Sequence, residues 1–158
     1  MKKQCNLIPL RRDFLFLGMT ATAGYSSTPL AKKLGIKEGS VVLLINEPTD
    51  YFDLFADWPE KVRIVKDEST KKDVIHFFTL KAEELFSYLP QLKKEIKENG
   101  MIWVSWPKKA AKVKTEITED VIRDFALQIG LVDVKVCAVD ATWSGLKLVI
   151  PVAERKKS

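Results

Sequence analysis

The run Gly100-Met101-Ile102-Trp103-Val104-Ser105-Trp106-Pro107-Lys108-Lys109 is where the architecture first becomes legible. Met101 to Trp106 carries no charge and is rich in aromatic and β-branched residues, the composition of a strand. Pro107 stops it, because proline has no N–H to give to a sheet interior. A basic connector leads from there to a helical run. Thr118 is placed to cap that helix, with Glu119 and Asp120 in its first turn. Val121, Ile122, Phe125, Ala126 and Ile129 form its apolar face, and Gly130 ends it. Val132, Val134, Val136 and Ala138 then alternate with Asp133, Lys135, Cys137 and Val139, the period of a strand. Leu146 to Val152 is a second extended segment, joined to the first through Asp140-Ala141-Thr142-Trp143-Ser144-Gly145. Two strands so close in sequence predict a C-terminal antiparallel hairpin.

Upstream the pattern changes. Thr28-Pro29-Leu30-Ala31-Lys32-Lys33-Leu34-Gly35 is a short helix signal, with Thr28 as cap, Pro29 in the first turn and Gly35 as the left-handed stop. Val41 to Ile45 is apolar on both faces, as a strand in the middle of a covered, mostly parallel sheet must be. Tyr51 to Trp58 reads as a short helix closed by Pro59, with Asp50 as its cap. Val62 to Val65 and Asp73 to Thr79 read as strands. The loop between them, Lys66 to Lys72, is too short for a crossover helix. These two strands are therefore either antiparallel neighbours, or the loop runs extended across the sheet end. From Ala82 to Asn99 the residues Leu85, Leu89, Leu92 and Ile96 recur at helical spacing. Pro90 should kink or divide that helix, and Asn99-Gly100 should stop it. Together these elements predict one three-layer α/β domain with a mostly parallel sheet and a C-terminal antiparallel hairpin.

At 158 residues the chain suits one domain with a single sizeable core. Its net charge is +5, which suggests nucleic acid until the charge is located. Residues 1–18 carry +3 (Lys2, Lys3, Arg11 and Arg12 against Asp13), and residues 154–158 carry +2 (Arg155, Lys156 and Lys157 against Glu154). Residues 19–153 are then neutral, which disfavours a nucleic-acid reading based on a generally basic fold. Cys5 and Cys137 form no metal or redox motif. A single histidine, His76, leaves no choice of partners for a nucleophilic triad, and it is expected to be a hydrogen-bonded core residue. No metal ligands and no catalytic residues are assigned.

The first residues allow two readings. Lys2-Lys3, Arg11-Arg12, a short apolar segment and Ala21-Thr22-Ala23 have the order of a twin-arginine export leader. Alternatively, residues 1–18 are an extension ahead of a start at Met19, a cytoplasmic domain spans 19–153, and 154–158 form a basic tail. The second is preferred, because the globular pattern begins just after Met19. No apolar run approaches the about 20 residues needed to cross a bilayer.

The order of elements resembles a shortened Rossmann-like methyltransferase fold. That resemblance implies a glycine-rich turn after the first strand, where the backbone approaches an adenosyl cofactor. Here the turn is Asn46-Glu47-Pro48-Thr49, with no glycine. An acidic cofactor partner after the second strand would be Asp67 or Glu68. A closer resemblance lies in Tyr25-Ser26-Ser27-Thr28-Pro29-Leu30-Ala31-Lys32-Lys33-Leu34-Gly35-Ile36, in Trp103-Val104-Ser105-Trp106-Pro107-Lys108-Lys109, and in Gly130 to Asp140 with Thr142-Trp143-Ser144-Gly145-Leu146-Lys147. These resemble the bacterial domain-of-unknown-function family 3052 over about residues 19–150. That family implies kinship and no activity.

Open α/β sheets bind ligands beyond the carboxyl ends of their strands. Two segments should lie there, Asn46 to Asp50 after the first strand and Ser105 to Lys109 after a central one. Lys108 and Lys109 beside Trp106 could hold a phosphate or carboxylate, with Lys112 and Lys114 following in the connector. The candidate ligand-binding residues are Asn46, Glu47, Ser105, Trp106, Lys108, Lys109, Trp143 and Ser144. Against this stand plainer readings: a solvated basic loop, Asp50 as a helix cap, and Trp143-Ser144-Gly145 as a hairpin loop packed at the sheet edge. The leading functional expectation is a non-catalytic domain binding a small anion, a nucleotide or a protein partner. The alternative is a diverged S-adenosylmethionine-dependent methyltransferase-like enzyme. The cofactor is left unassigned.

Overall fold

The structure, a computed structural model, describes residues 28–155. The expectations for the leader, Met19, Cys5 and the last three residues lie outside these. Six strands form one sheet: β1 (Val41–Ile45), β2 (Arg63–Ile64), β3 (Lys72–Phe78), β4 (Ile96–Pro107), β5 (Val132–Ala138) and β6 (Trp143–Val149). Their spatial order is β2-β1-β3-β4-β6-β5. β2, β1, β3 and β4 pair in parallel, whereas β6 runs antiparallel to both β4 and β5. The sheet is the mixed one expected, mostly parallel with a C-terminal antiparallel hairpin. The ambiguity over residues 66–72 resolves as an extended crossing. β2 and β3 flank β1 on opposite sides, both parallel to it, so the short loop passes over the end of one strand.

Side chains alternate between two cores because strand residues point alternately to the two faces. On one face α2 (Ala82–Glu95) brings Leu85, Leu89 and Leu92, and α3 (Glu119–Gln128) brings Ile122 and Ala126, against Ile75, Phe77, Ile102, Val104, Leu146 and Leu148. On the other, α1 (Leu30–Leu34) and a 3-10 turn over Tyr51–Leu54 cover Val42, Leu44, Val74, Phe78 and Trp103. These are the three layers. Thr118 caps α3 as expected, accepting the Val121 N–H at 3.2 Å, a bond worth about 1 kcal/mol in helices generally.

Several local expectations change. Pro29, and not Thr28, holds the cap position of α1 and brings no side-chain capping bond. The free N–H groups of Ala31 and Lys32 donate instead to the carboxylate of Asp57, each at 3.3 Å. Gly35 does end the helix, with φ of 83°. The helix expected over Tyr51–Trp58 is only a four-residue 3-10 turn, and the Asp50 side chain makes no capping bond to it. α2 runs through Pro90 as one helix but stops at Glu95, not at Asn99-Gly100. Ile96 continues the helical spacing in sequence yet opens β4. Gly100 lies inside that strand, where a Cβ would sit 2.9 Å from the Lys72 carbonyl oxygen; only glycine admits this approach, at a shift in the β3–β4 register. Trp143 and Ser144, expected in a hairpin loop at the sheet edge, are strand residues of β6, which lies inside the sheet.

Candidate functional site

The carboxyl edge begins where β1 ends. Asn46 turns the chain with φ of 59°, a left-handed conformation that asparagine tolerates better than other non-glycine residues. Its Nδ2 donates to the Phe78 carbonyl and to Glu84 Oε2, each at 3.1 Å. Glu84 Oε1 accepts the Thr79 hydroxyl at 2.7 Å. The end of β1, the end of β3 and the first turn of α2 are thereby tied together. Glu47 is exposed. Burial chiefly, and then the Glu47 charge, push the Tyr51 phenol well above its ordinary pKa.

Ser105 is fully buried on the α1 side of β4, with its Oγ 2.7 Å from His76 Nε2. His76 Nδ1 lies 3.0 Å from Tyr51 Oη. When Tyr51 donates to Nδ1 and the Nε2–H donates to Ser105, the imidazole is satisfied in its neutral form. Burial lowers the His76 pKa to about 3, so the ring is uncharged at neutral pH. His76 is thus the hydrogen-bonded core histidine expected, and Ser105 belongs to the same buried chain.

Trp106 is half-buried and packs on the α2–α3 core. Trp143, whose Cα partner on β4 is Pro107, packs on the opposite face, edge-on to Phe78 with ring centroids 5.0 Å apart. The two indoles therefore do not meet. Ser144 sits between Trp106 on β4 and Ala138 on β5. Lys109 is exposed and opens a 3-10 turn over Lys109–Ala111. Lys108 is half-buried, its N–H donating to the Thr142 carbonyl at 2.7 Å. Burial lowers the Lys108 pKa, partly offset by Asp140. Lys33 and Cys137 are near enough for Lys108 to feel their charge, and its backbone bond is to Thr142, the neighbour of Trp143. Trp106, the aromatic partner expected for this lysine, packs on the α2–α3 face, and Trp143 packs on the α1 face.

Lys33, Lys135 and Lys147, on that same side, were not singled out by sequence reasoning. The signal available was the charged position Lys135 within the alternation of β5. Among the described residues no group of three or more His, Cys, Asp or Glu side chains is placed to hold a metal ion. No helix among them is long and apolar enough to cross a membrane.

The strand order, with one antiparallel strand inside an otherwise parallel run, defines a Rossmann-like fold that solved methyltransferases share. An S-adenosylmethionine-dependent methyltransferase from Aquifex aeolicus superposes with a TM-score of 0.53 at 16% identity, covering 77% of this chain and 88% of its own. Magnesium protoporphyrin IX methyltransferase from Synechocystis with bound cofactor gives 0.51 at 10% identity, covering 77% and 74%. At such identities the likeness is one of fold. The chain itself belongs to the family described as a protein of unknown function, DUF3052, whose model matches residues 31–152. Among curated proteins, none matches the sequence.

Proposed function

We propose that this domain is a non-catalytic binding module on the methyltransferase fold, taking a small anionic ligand at the α1 side of its carboxyl edge. The observation that carries the reading is the bridge made by Asn46. Where the methyltransferase resemblance implies a glycine-rich turn open to the cofactor, a side chain here spans from β1 to the Phe78 carbonyl and Glu84. A bound adenosyl group would have to displace those bonds, and Pro48 stiffens the turn behind them. Lys108 supports the anion reading, being half-buried with a single opposing carboxylate, Asp140, among the charges it feels. Trp143 offers a flat face beside it and Lys109 an exposed second charge, while Ser105 and Trp106 serve the cores. Regulation through a protein partner would be a consequence of ligand binding.

The alternative, a diverged methyltransferase-like enzyme, draws on the fold alone. Titration calorimetry with S-adenosylmethionine and S-adenosylhomocysteine separates the two. The expected result is no measurable heat at 100 μM ligand, whereas a micromolar Kd, about −8 kcal/mol, overturns the binding-module reading.

A further inference from the structure

The antiparallel hairpin carries an arrangement of charge that the rest of the fold does not explain. Lys135 on β5 and Lys147 on β6 are direct cross-strand partners, and Lys147 is in turn the partner of Trp103 on β4. Like charges directly opposite each other destabilise a sheet. Their meeting is produced by a register shift between Asp133 and Lys135, where Val134 is the extra residue. Without it Asp133 and Lys135 would share a face. With it Asp133 points to α3 and accepts from Arg123 Nε at 3.0 Å, leaving Lys135 on the α1 side with no neighbouring carboxylate of its own strand.

Two more lysines are brought to the same place. The end of α1 is pinned over β4 by the Trp103 Nε1–H, which donates to the Leu34 carbonyl at 2.8 Å, and Lys33 is in that last turn. Lys108 is tied to the hairpin through Thr142. Lys33, Lys108 and Lys135 are all near enough to Cys137 for the thiol to feel their charge. None of the four ammonium groups makes an ion pair or hydrogen bond among the described residues. Asp140, the one carboxylate felt there, spends Oδ1 on the N–H groups of Thr142 and Trp143, at 2.8 and 2.7 Å. The strand residues beside the lysines are neutral: Gly145, paired with Cys137, is buried under Trp103, Ser105 and Val139, and Trp143 is half-buried. Partial burial lowers the pKa of Lys33, Lys108 and Lys147.

We infer that Lys33, Lys108, Lys135 and Lys147 form a binding site for a small molecule bearing two or more linked phosphate groups. Four ammonium groups with rotatable donors suit a compact, multiply charged anion, and one carboxylate engaged in a turn does not neutralise them. The inference rests on the binding-module reading and deepens it by naming the ligand class and the residues. Trp143 beside the cluster would add a stacking surface for a nucleoside diphosphate.

The test uses the full-length chain in low-salt buffer, with pyrophosphate and ADP as probes and chloride at matched ionic strength as control. Both probes should raise the Tm by several degrees and bind saturably by calorimetry, where chloride does neither. The Lys33→Met/Lys135→Met variant should lose at least tenfold in pyrophosphate affinity while its own Tm without ligand stays the same or rises, since repulsion is relieved. A Lys32→Met/Lys37→Met control should bind as the unchanged chain does. If the Lys33/Lys135 variant fails to fold, Lys147→Gln alone should weaken binding at least threefold. Tighter binding of ADP than of pyrophosphate, lost in Trp143→Leu, identifies a nucleotide; equal binding identifies an inorganic or other phosphate, and either supports the site. No shift beyond chloride with either probe, or unchanged affinity in the lysine variants, overturns it. That failure is distinct from failure of the binding-module reading, which only the adenosyl titration reports.

Discussion

Asn46 and His76 show how single residues define this edge. Asn46 takes the left-handed turn that glycine would take and then uses its side chain to close the space that glycine would leave. His76 sits fully buried between Tyr51 and Ser105, neutral because no solvent or acid favours its charged form. Its folded pKa of about 3 lies below the ordinary 6.5, so in acid the unfolded chain binds the proton first. Stability is therefore unaffected above pH 6.5 and falls as pH drops through the window from 6.5 to about 3. The slope within the window should approach about 1.4 kcal/mol per pH unit from this group. Urea unfolding at pH 7, 6 and 5 checks it: His76→Gln, though less stable at pH 7, should show a shallower loss than the parent. As the only histidine, His76 also gives an unambiguous NMR signal, which should not titrate between pH 8 and 5.

Among the elements, the junction of α2 with β4 is held by charge in an unusual place. Lys72, fully buried at the start of β3, donates to the Asp67 carbonyl and, at 2.6 Å, to Glu95 Oε1. Gln91 Nε2 donates to the other Glu95 oxygen, Oε2, at 3.0 Å. This pair fastens the last residue of the helix to the first residue of the neighbouring strand, so the chain can turn at Ile96 without a glycine stop. Removing one partner strands a buried charge. Lys72→Met should cost about 3–5 kcal/mol in urea unfolding, and Lys72→Met/Glu95→Leu should recover most of it, because an apolar pair of similar volume is often as stable. A double variant no better than the single one would mean that the ion pair itself, and not relief of an unpaired carboxylate, sustains the junction.

At the scale of the whole molecule the two cores share one sheet, and Trp103 links α1 to the middle strand β4. Trp106 reports on the α2–α3 side, while Trp58, Trp103 and Trp143 report on the other. Unfolding should be a single transition: tryptophan fluorescence and far-ultraviolet circular dichroism should give coincident denaturant curves. A fluorescence transition clearly ahead of the dichroism would mean that the α1 layer melts separately. Charge is also distributed at this scale. Residues 19–153 sum to zero, yet Lys135 and Lys147 are paired across the hairpin, and Lys33, Lys108 and Lys135 are all near enough to be felt at Cys137. A neutral total reports nothing about such a gathering.

Much of the architecture could be read from local pattern. The apolar run Val41–Ile45, the cap at Thr118, the stops at Gly35 and Gly130, and the hairpin are all consequences of near-neighbour chemistry: side-chain period, capping bonds and backbone freedom. The place of Asn46 at the carboxyl edge of the sheet and of Lys108 after β4 was legible for the same reason. What could not be read depends on partners distant in sequence. Ile96 fits the helical period, and only its meeting with β3, beside the Lys72–Glu95 pair and the close approach at Gly100, makes it a strand residue. Trp106 and Trp143 look equivalent in the chain but fall on opposite faces of the sheet. The alternation of β5 places Asp133 and Lys135 together, and one extra residue against β6 parts them. Strand register is a contact between segments, and a shift of one residue reverses which face a side chain takes. Sequence period therefore specifies the elements, while the pairing of distant strands selects which charges share a face.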